Sequence, residues 1–146
     1  MPNIRVPESA KQLLPMCRKH DLLPGENELP QCFETYADLM VFAAAYGYSE
    51  LHGSIPKRKT KFLSTPNPID FEIFKTDRRY PPILLIALAA SKDKDVVRDE
   101  SLLCKLTEDY AAVGFEKIMK IQAQQGATSL ILQIANALAQ QEDDRI

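Results

Sequence analysis

Thr35-Tyr36-Ala37-Asp38-Leu39-Met40-Val41-Phe42-Ala43-Ala44-Ala45-Tyr46-Gly47 is the stretch that decides what class of fold this chain adopts. Leu39, Phe42, Ala43 and Tyr46 recur at helical spacing, while Met40, Val41, Ala44 and Ala45 fill the other faces. A helix that is apolar nearly all round belongs at the centre of a domain, and small alanines let a neighbour pack closely. The pattern predicts a helix from about Thr35 to Tyr46, with Gly47 as the left-handed residue just past its end.

Upstream, Pro7 followed by Glu8 suits the first turn of a helix that turns Ala10, Leu13, Leu14 and Cys17 inward. Pro15 must kink or interrupt it. Leu22 to Pro30, with Pro24, Gly25 and Pro30, reads as a surface connection. Downstream, Tyr48 to Pro68 reads as a long loop carrying the cluster Lys57, Arg58, Lys59 and Lys61, with a short extended piece near Lys61–Leu63. Ile69-Asp70-Phe71-Glu72-Ile73-Phe74 alternates with period two over most of its length and is the best strand signal in the chain. Tyr80-Pro81-Pro82 launches Ile83–Ala90, apolar on every face and so predicted to be a buried core helix. After a charged connection, Ser101 caps a long helix whose stripe is Leu103, Leu106, Tyr110, Val113, Ile118 and Ile121. Gly114 weakens its middle, and Gly126 separates it from a last helix that turns Leu130, Ile131, Ile134, Ala135 and Leu138 inward.

The expected fold is therefore mainly α, about five helices, with a minor β hairpin or short strand near residues 61–74. It forms a single compact domain over 1–146, with an N-terminal helix and connection (1–31), a basic loop (48–68) and a polar tail (140–146). The length of 146 residues suits one domain. A net charge of −2 gives no whole-molecule pull towards nucleic acid, so an anion-binding role needs a local basic patch. Three separated cysteines fit reduced thiols. The N-terminus has no apolar signal segment, and the run Ile83–Ala90 is far short of the ~20 residues of a membrane span. These features predict a cytoplasmic protein with no membrane partner.

Sites of familiar chemistry fail on specific grounds. His20 and His52 are the only imidazoles, and no signature of a cysteine hydrolase surrounds Cys32. Zinc-type ligand spacings are missing, and the five glycines stand singly, so neither a metal nor a nucleotide cofactor is expected. Asp70, Glu72 and Lys75 resemble the acidic pair and lysine of a metal-dependent nuclease. On a strand, however, Lys75 points to the face opposite Glu72. No catalytic residue is assigned. The feature with most functional content is the group Lys57, Arg58, Lys59, Lys61, Arg78 and Arg79, a candidate surface for nucleic-acid phosphates or a protein partner. Tyr48, Phe62 and Tyr80 lie nearby in sequence as candidates for stacking.

The segment 32–48, with its Phe42-Ala43-Ala44 and Gly47, resembles the start of a small bacterial family that accompanies DNA-phosphorothioation (dnd) genes, the dnd-system-associated "protein 4" group. Glu108-Asp109-Tyr110-Ala111-Ala112-Val113-Gly114 is similar to that family's late helix. The resemblance implies an accessory or adaptor protein of a DNA modification or linked restriction system, not an enzyme, that binds DNA or another protein of the system. It carries over no catalytic residue. A helical module that binds a partner or a second copy of itself, as a homodimer, is the alternative. A metal-dependent nuclease is the remote one.

Overall fold

The computed structural model describes residues 2–17, 32–52, 54–57 and 59–143, and gives the course of the helix alone for 125–133 and 136–143. Among these residues lie three α-helices, three 3-10 helices and one small antiparallel sheet. The single compact, mainly helical domain is as expected. Individual elements differ in ways that physics explains.

The central helix, α1, spans Tyr36–Glu50. Thr35 caps it, its hydroxyl oxygen accepting from the Asp38 N–H at 3.3 Å. From Ala37 through Ala44 every residue except Asp38 is buried, as an all-round apolar helix requires. Gly47 does not end α1. The left-handed residue falls later, at His52 (φ 50°). Gly47 instead sits where α1 crosses the long helix α3, Glu100–Asp143. A Cβ on Gly47 would collide with the Tyr110 carbonyl and meet the Gly114 nitrogen at 2.9 Å. A Cβ on Gly114 would collide with the carbonyl of Ala43. Both glycines are there for close backbone approach, so Gly114 secures a crossing and is no mere weak point.

α3 is one helix where two were expected. It runs through Gly126, because a helical glycine costs only about 1 kcal/mol and does not stop a helix by itself. Its first turn is held by Asp99, which accepts from the Leu102 N–H at 3.1 Å, and not by Ser101. Leu103, Leu106, Tyr110 and Ile118 are buried as expected, with Phe115 beside them. Ile134 is buried, but Ala135, expected to face inward, is exposed. The side chains of Leu130, Ile131 and Leu138 lie outside the described residues.

The N-terminal segment forms a strand and a 3-10 helix, not an α-helix. β1 (Asn3–Ile4) pairs antiparallel with β2 (Ile69–Asp70) in the register Asn3–Asp70 and Ile4–Ile69. The ribbon continues through a bridge between Pro7 and Phe62. There the Glu8 N–H donates to the Lys61 carbonyl (2.8 Å) and the Leu63 N–H to that of Val6 (2.9 Å). The extended piece near 61–63 is thus real, and its partner is the N-terminus. A 3-10 helix, Glu8–Met16, follows. Its three-residue period aligns Ala10, Leu13 and Met16, all buried, and accommodates Pro15. The connection expected over 22–30 lies outside the described residues.

The strand expected over 69–74 stops at Asp70. The Asp70 carboxylate accepts from the Glu72 N–H (3.2 Å) and caps a 3-10 helix, Phe71–Phe74. Period three then buries Phe71 and Phe74, stacked 6.4 Å apart, and leaves Ile73 exposed.

α2, Tyr80–Ser91, begins on its two prolines and ends at Lys92 in the left-handed region (φ 57°). It was expected to be buried on every face. Only Ile83, Ile86 and Ala87 are buried, while Pro81 and Ala89 are exposed and Leu85 keeps 67% of its surface. α2 covers one side of the body and keeps an exposed outer face at Pro81, Leu85 and Ala89.

Candidate interaction surface

The basic loop follows α1 and lies along α3, to which several contacts fasten it. The Tyr110 hydroxyl donates to the Ser54 carbonyl at 3.0 Å, and Tyr48 meets the Tyr110 ring edge-on at 5.5 Å. The Thr60 hydroxyl donates to Asp109 at 2.7 Å. Phe62 carries the Arg5 guanidinium 3.7 Å above its ring. Arg5 in turn grips Glu108, a carboxylate only 3% exposed. It does so through Nε (3.0 Å), a terminal guanidinium nitrogen (3.1 Å) and its backbone N–H (2.7 Å). A buried charge is tolerable only when paired and hydrogen-bonded in this way. The same carboxylate, accepting the hydrogen bonds of Arg5, raises the Arg5 pKa above its ordinary value.

Lys57, Lys59 and Lys61 are exposed along this fastened loop, and none pairs with a carboxylate among the described residues. Arg58 lies outside the described residues. Arg78 is exposed at the foot of α2. Arg79 is not free: its Nε donates to Asp38 at 2.7 Å and a terminal nitrogen to the Ile73 carbonyl at 2.8 Å. Partial burial works to raise the Asp38 pKa, but the hydrogen bonds from Arg79 and Thr35 outweigh it and hold the carboxyl below its usual range. Arg79 is thus a tie between α1 and α2.

The described cationic positions do not line one groove. Lys59 and Lys61 border a groove of about 430 Å³, whose walls also carry Glu8, Asp109 and Glu116. Arg78 and Arg79 border another, of about 370 Å³, with Glu34 and Asp38. The two share no lining residue. Each of the three nearby aromatics is half-buried and has a neighbour against its ring. Tyr48 packs on Tyr110, Phe62 lies under Arg5, and Tyr80 meets the Phe71 ring at 6.0 Å.

The acidic segment also differs from expectation. Because 71–74 is a 3-10 helix, Glu72 and Lys75 stand one turn apart and form an ion pair of 2.9 Å, instead of pointing to opposite faces. Lys75 also pairs with Glu100. Its ammonium donates to both glutamates, which raises its pKa above the usual lysine value, Glu100 the more strongly. Among the described residues, no group of three or more His, Cys, Asp or Glu side chains is placed to hold a metal. Cys17 and Cys104 are buried free thiols, both pushed up to about 12 by burial and by nearby carboxylates. Cys32 is exposed.

Two features escaped the sequence reading. The Arg5–Glu108 grip joins residues 103 positions apart, and nothing local announces it. The outer face of α2 carried a signal, a helix without charge from Tyr80 to Ala90, but that signal alone cannot distinguish a buried helix from an uncovered one. Among the described residues no helix is long and apolar enough to cross a membrane.

No curated protein and no solved structure is detectably similar to this chain. One family does match, over residues 3–145, described as DNA sulphur modification system-associated protein 4. With all but the extreme ends of the sequence matched, this chain belongs to that family, whose members are associated with a DNA sulphur modification system.

Proposed function

We propose that this protein acts in the bacterial cytoplasm as a non-catalytic adaptor of the DNA sulphur modification system or its linked restriction machinery, and that it docks onto another protein of that system. The observation that carries this reading is the outer face of α2. Leu85 stands 67% exposed between exposed Pro81 and Ala89, in a stretch with no charged residue over 80–90. An uncharged helix face left to water is a surface that a protein partner can cover. Association of the family with a multi-component system supplies the partner class. The protonated buried thiols and the ion-paired Lys75 support the non-catalytic part.

Co-expression with the other proteins of the system, followed by size-exclusion chromatography, tests the reading. The wild type should co-elute with one of them, and Leu85→Asp should elute alone while keeping its circular dichroism and melting temperature. Co-elution undiminished by Leu85→Asp would remove α2 from the interface. A second reading, DNA binding through the loop, draws on Lys57, Lys59 and Lys61, exposed and paired with no carboxylate among the described residues. It predicts duplex binding that weakens steeply with salt and is lost when the three become Ala.

A further inference from the structure

We propose that the N-terminal strand and the loop residues Thr60–Leu63 form one lid on α3, latched by Arg5, which opens and unravels as a unit while α1 and α3 stay packed. The inference is independent of the adaptor reading.

Three segments of the chain meet on Arg5. Its backbone N–H and its guanidinium hold Glu108 of α3 through three hydrogen bonds of 2.7–3.1 Å. The same guanidinium lies 3.7 Å above the ring of Phe62 in the loop. To either side of it, Ile4 pairs with Ile69, and the Val6 carbonyl accepts from the Leu63 N–H at 2.9 Å. Strand and loop are therefore bonded to each other and reach α3 through one shared side chain. The loop has a second tie to α3 at Thr60, whose hydroxyl donates to Asp109 at 2.7 Å. The lid ends where the Ser9 hydroxyl is fixed to the Ala112 carbonyl (3.1 Å) and the 3-10 helix turns Ala10 into the core.

Two features keep the lid shut. Ile4 and Val6 are buried, and Glu108 is 3% exposed. Without Arg5 that carboxylate would have no cation paired with it among the described residues, and a buried charge left alone is strongly unfavourable. The crossing of α1 and α3 does not depend on the lid, because it is made backbone to backbone at Gly47 and Gly114. A two-stranded ribbon has little stability without something to pack on, so once off α3 it unravels. Lys57, Lys59 and Lys61 then keep a fixed arrangement only while the latch is closed, and opening uncovers Glu108.

Amide hydrogen exchange, read residue by residue by NMR on the full chain, tests this. Exchange of a protected amide reports the population of the form in which its hydrogen bond is open. The markers are the amides of Glu8, Leu63 and Phe71, which donate to Lys61, Val6 and Pro2. Arg5→Met keeps the apolar stem and removes the latch. It should speed all three by one common factor of at least about tenfold, and leave the amides of α1 and of α3 around Gly114 unchanged. Thr60→Val is the milder variant should Arg5→Met not fold. It should speed the same three amides together, several-fold, including that of Phe71, which Thr60 does not bond. Acceleration of Leu63 without Phe71 would show loosening confined to the loop and overturn the proposal. Equal acceleration of the lid and of α1 and α3 would show a loss of global stability, and would overturn it too.

Discussion

Gly47 and Gly114 are the least replaceable residues of the fold. What a side chain would strike at each is backbone of the opposite helix, which cannot rotate away. Gly47→Ala or Gly114→Ala should therefore force α1 and α3 apart, at about 3 kcal/mol or more. That corresponds to a melting temperature lower by roughly 10 °C in a calorimetric scan. A change below 1–2 °C would mean that the helices re-pack freely. Asp38 gives a pH signature. Its pKa in the folded protein lies below its unfolded value, so its contribution is present above about pH 4 and is lost as pH falls through the folded value. Asp38→Asn should cost about 1–2 kcal/mol in urea unfolding at pH 7 and much less at pH 3. An equal cost at both values would show that the carboxylate charge is not what Arg79 holds. The thiols divide the same way. A thiol-reactive dye should label Cys32 in the native protein, and Cys17 and Cys104 only after denaturation, because burial keeps both protonated at neutral pH. Fast labelling of all three would contradict the packing around α1 and α3.

Among the elements, the existence and central place of α1 were legible because burial on all faces leaves an unmistakable apolar run. Its end was misread, since one glycine suits a helix terminus and a helix crossing equally well. Only the partner, Gly114 some 67 positions later, tells them apart. β1 was missed although Ile4 and Val6 alternate with Asn3 and Arg5, because four residues make too short a pattern without a visible partner. The segment 69–74 was read as strand because period two and period three coincide over so few residues. The capping carboxylate of Asp70 decided between them. The candidate site was half legible: Lys57, Lys59 and Lys61 stand exposed as expected, whereas Arg79 is spent on Asp38 and Arg78 borders another groove. Charge can be read from sequence, but the assignment of each charge to its partner depends on long-range packing. At this scale α2 makes its own prediction. Replacing Leu85 by Ser, which removes apolar surface already in water, should leave stability within about 0.5 kcal/mol of wild type. A loss of several kcal/mol in denaturant unfolding would show that Leu85 is part of the core after all.

For the whole molecule, membership in the DNA sulphur modification family sets the context, and the surface argues for the role within it. The proposal that a protein is the thing bound rests on the uncharged, exposed outer face of α2. The most direct measurement of that claim is the affinity of wild type and Leu85→Asp for the system's proteins, taken at low and at high salt. The account predicts one protein partner whose binding survives high salt and falls at least about thirtyfold in Leu85→Asp, as for a central apolar anchor. Equal affinities for the two forms, with binding confined to duplex DNA at low salt, would contradict it.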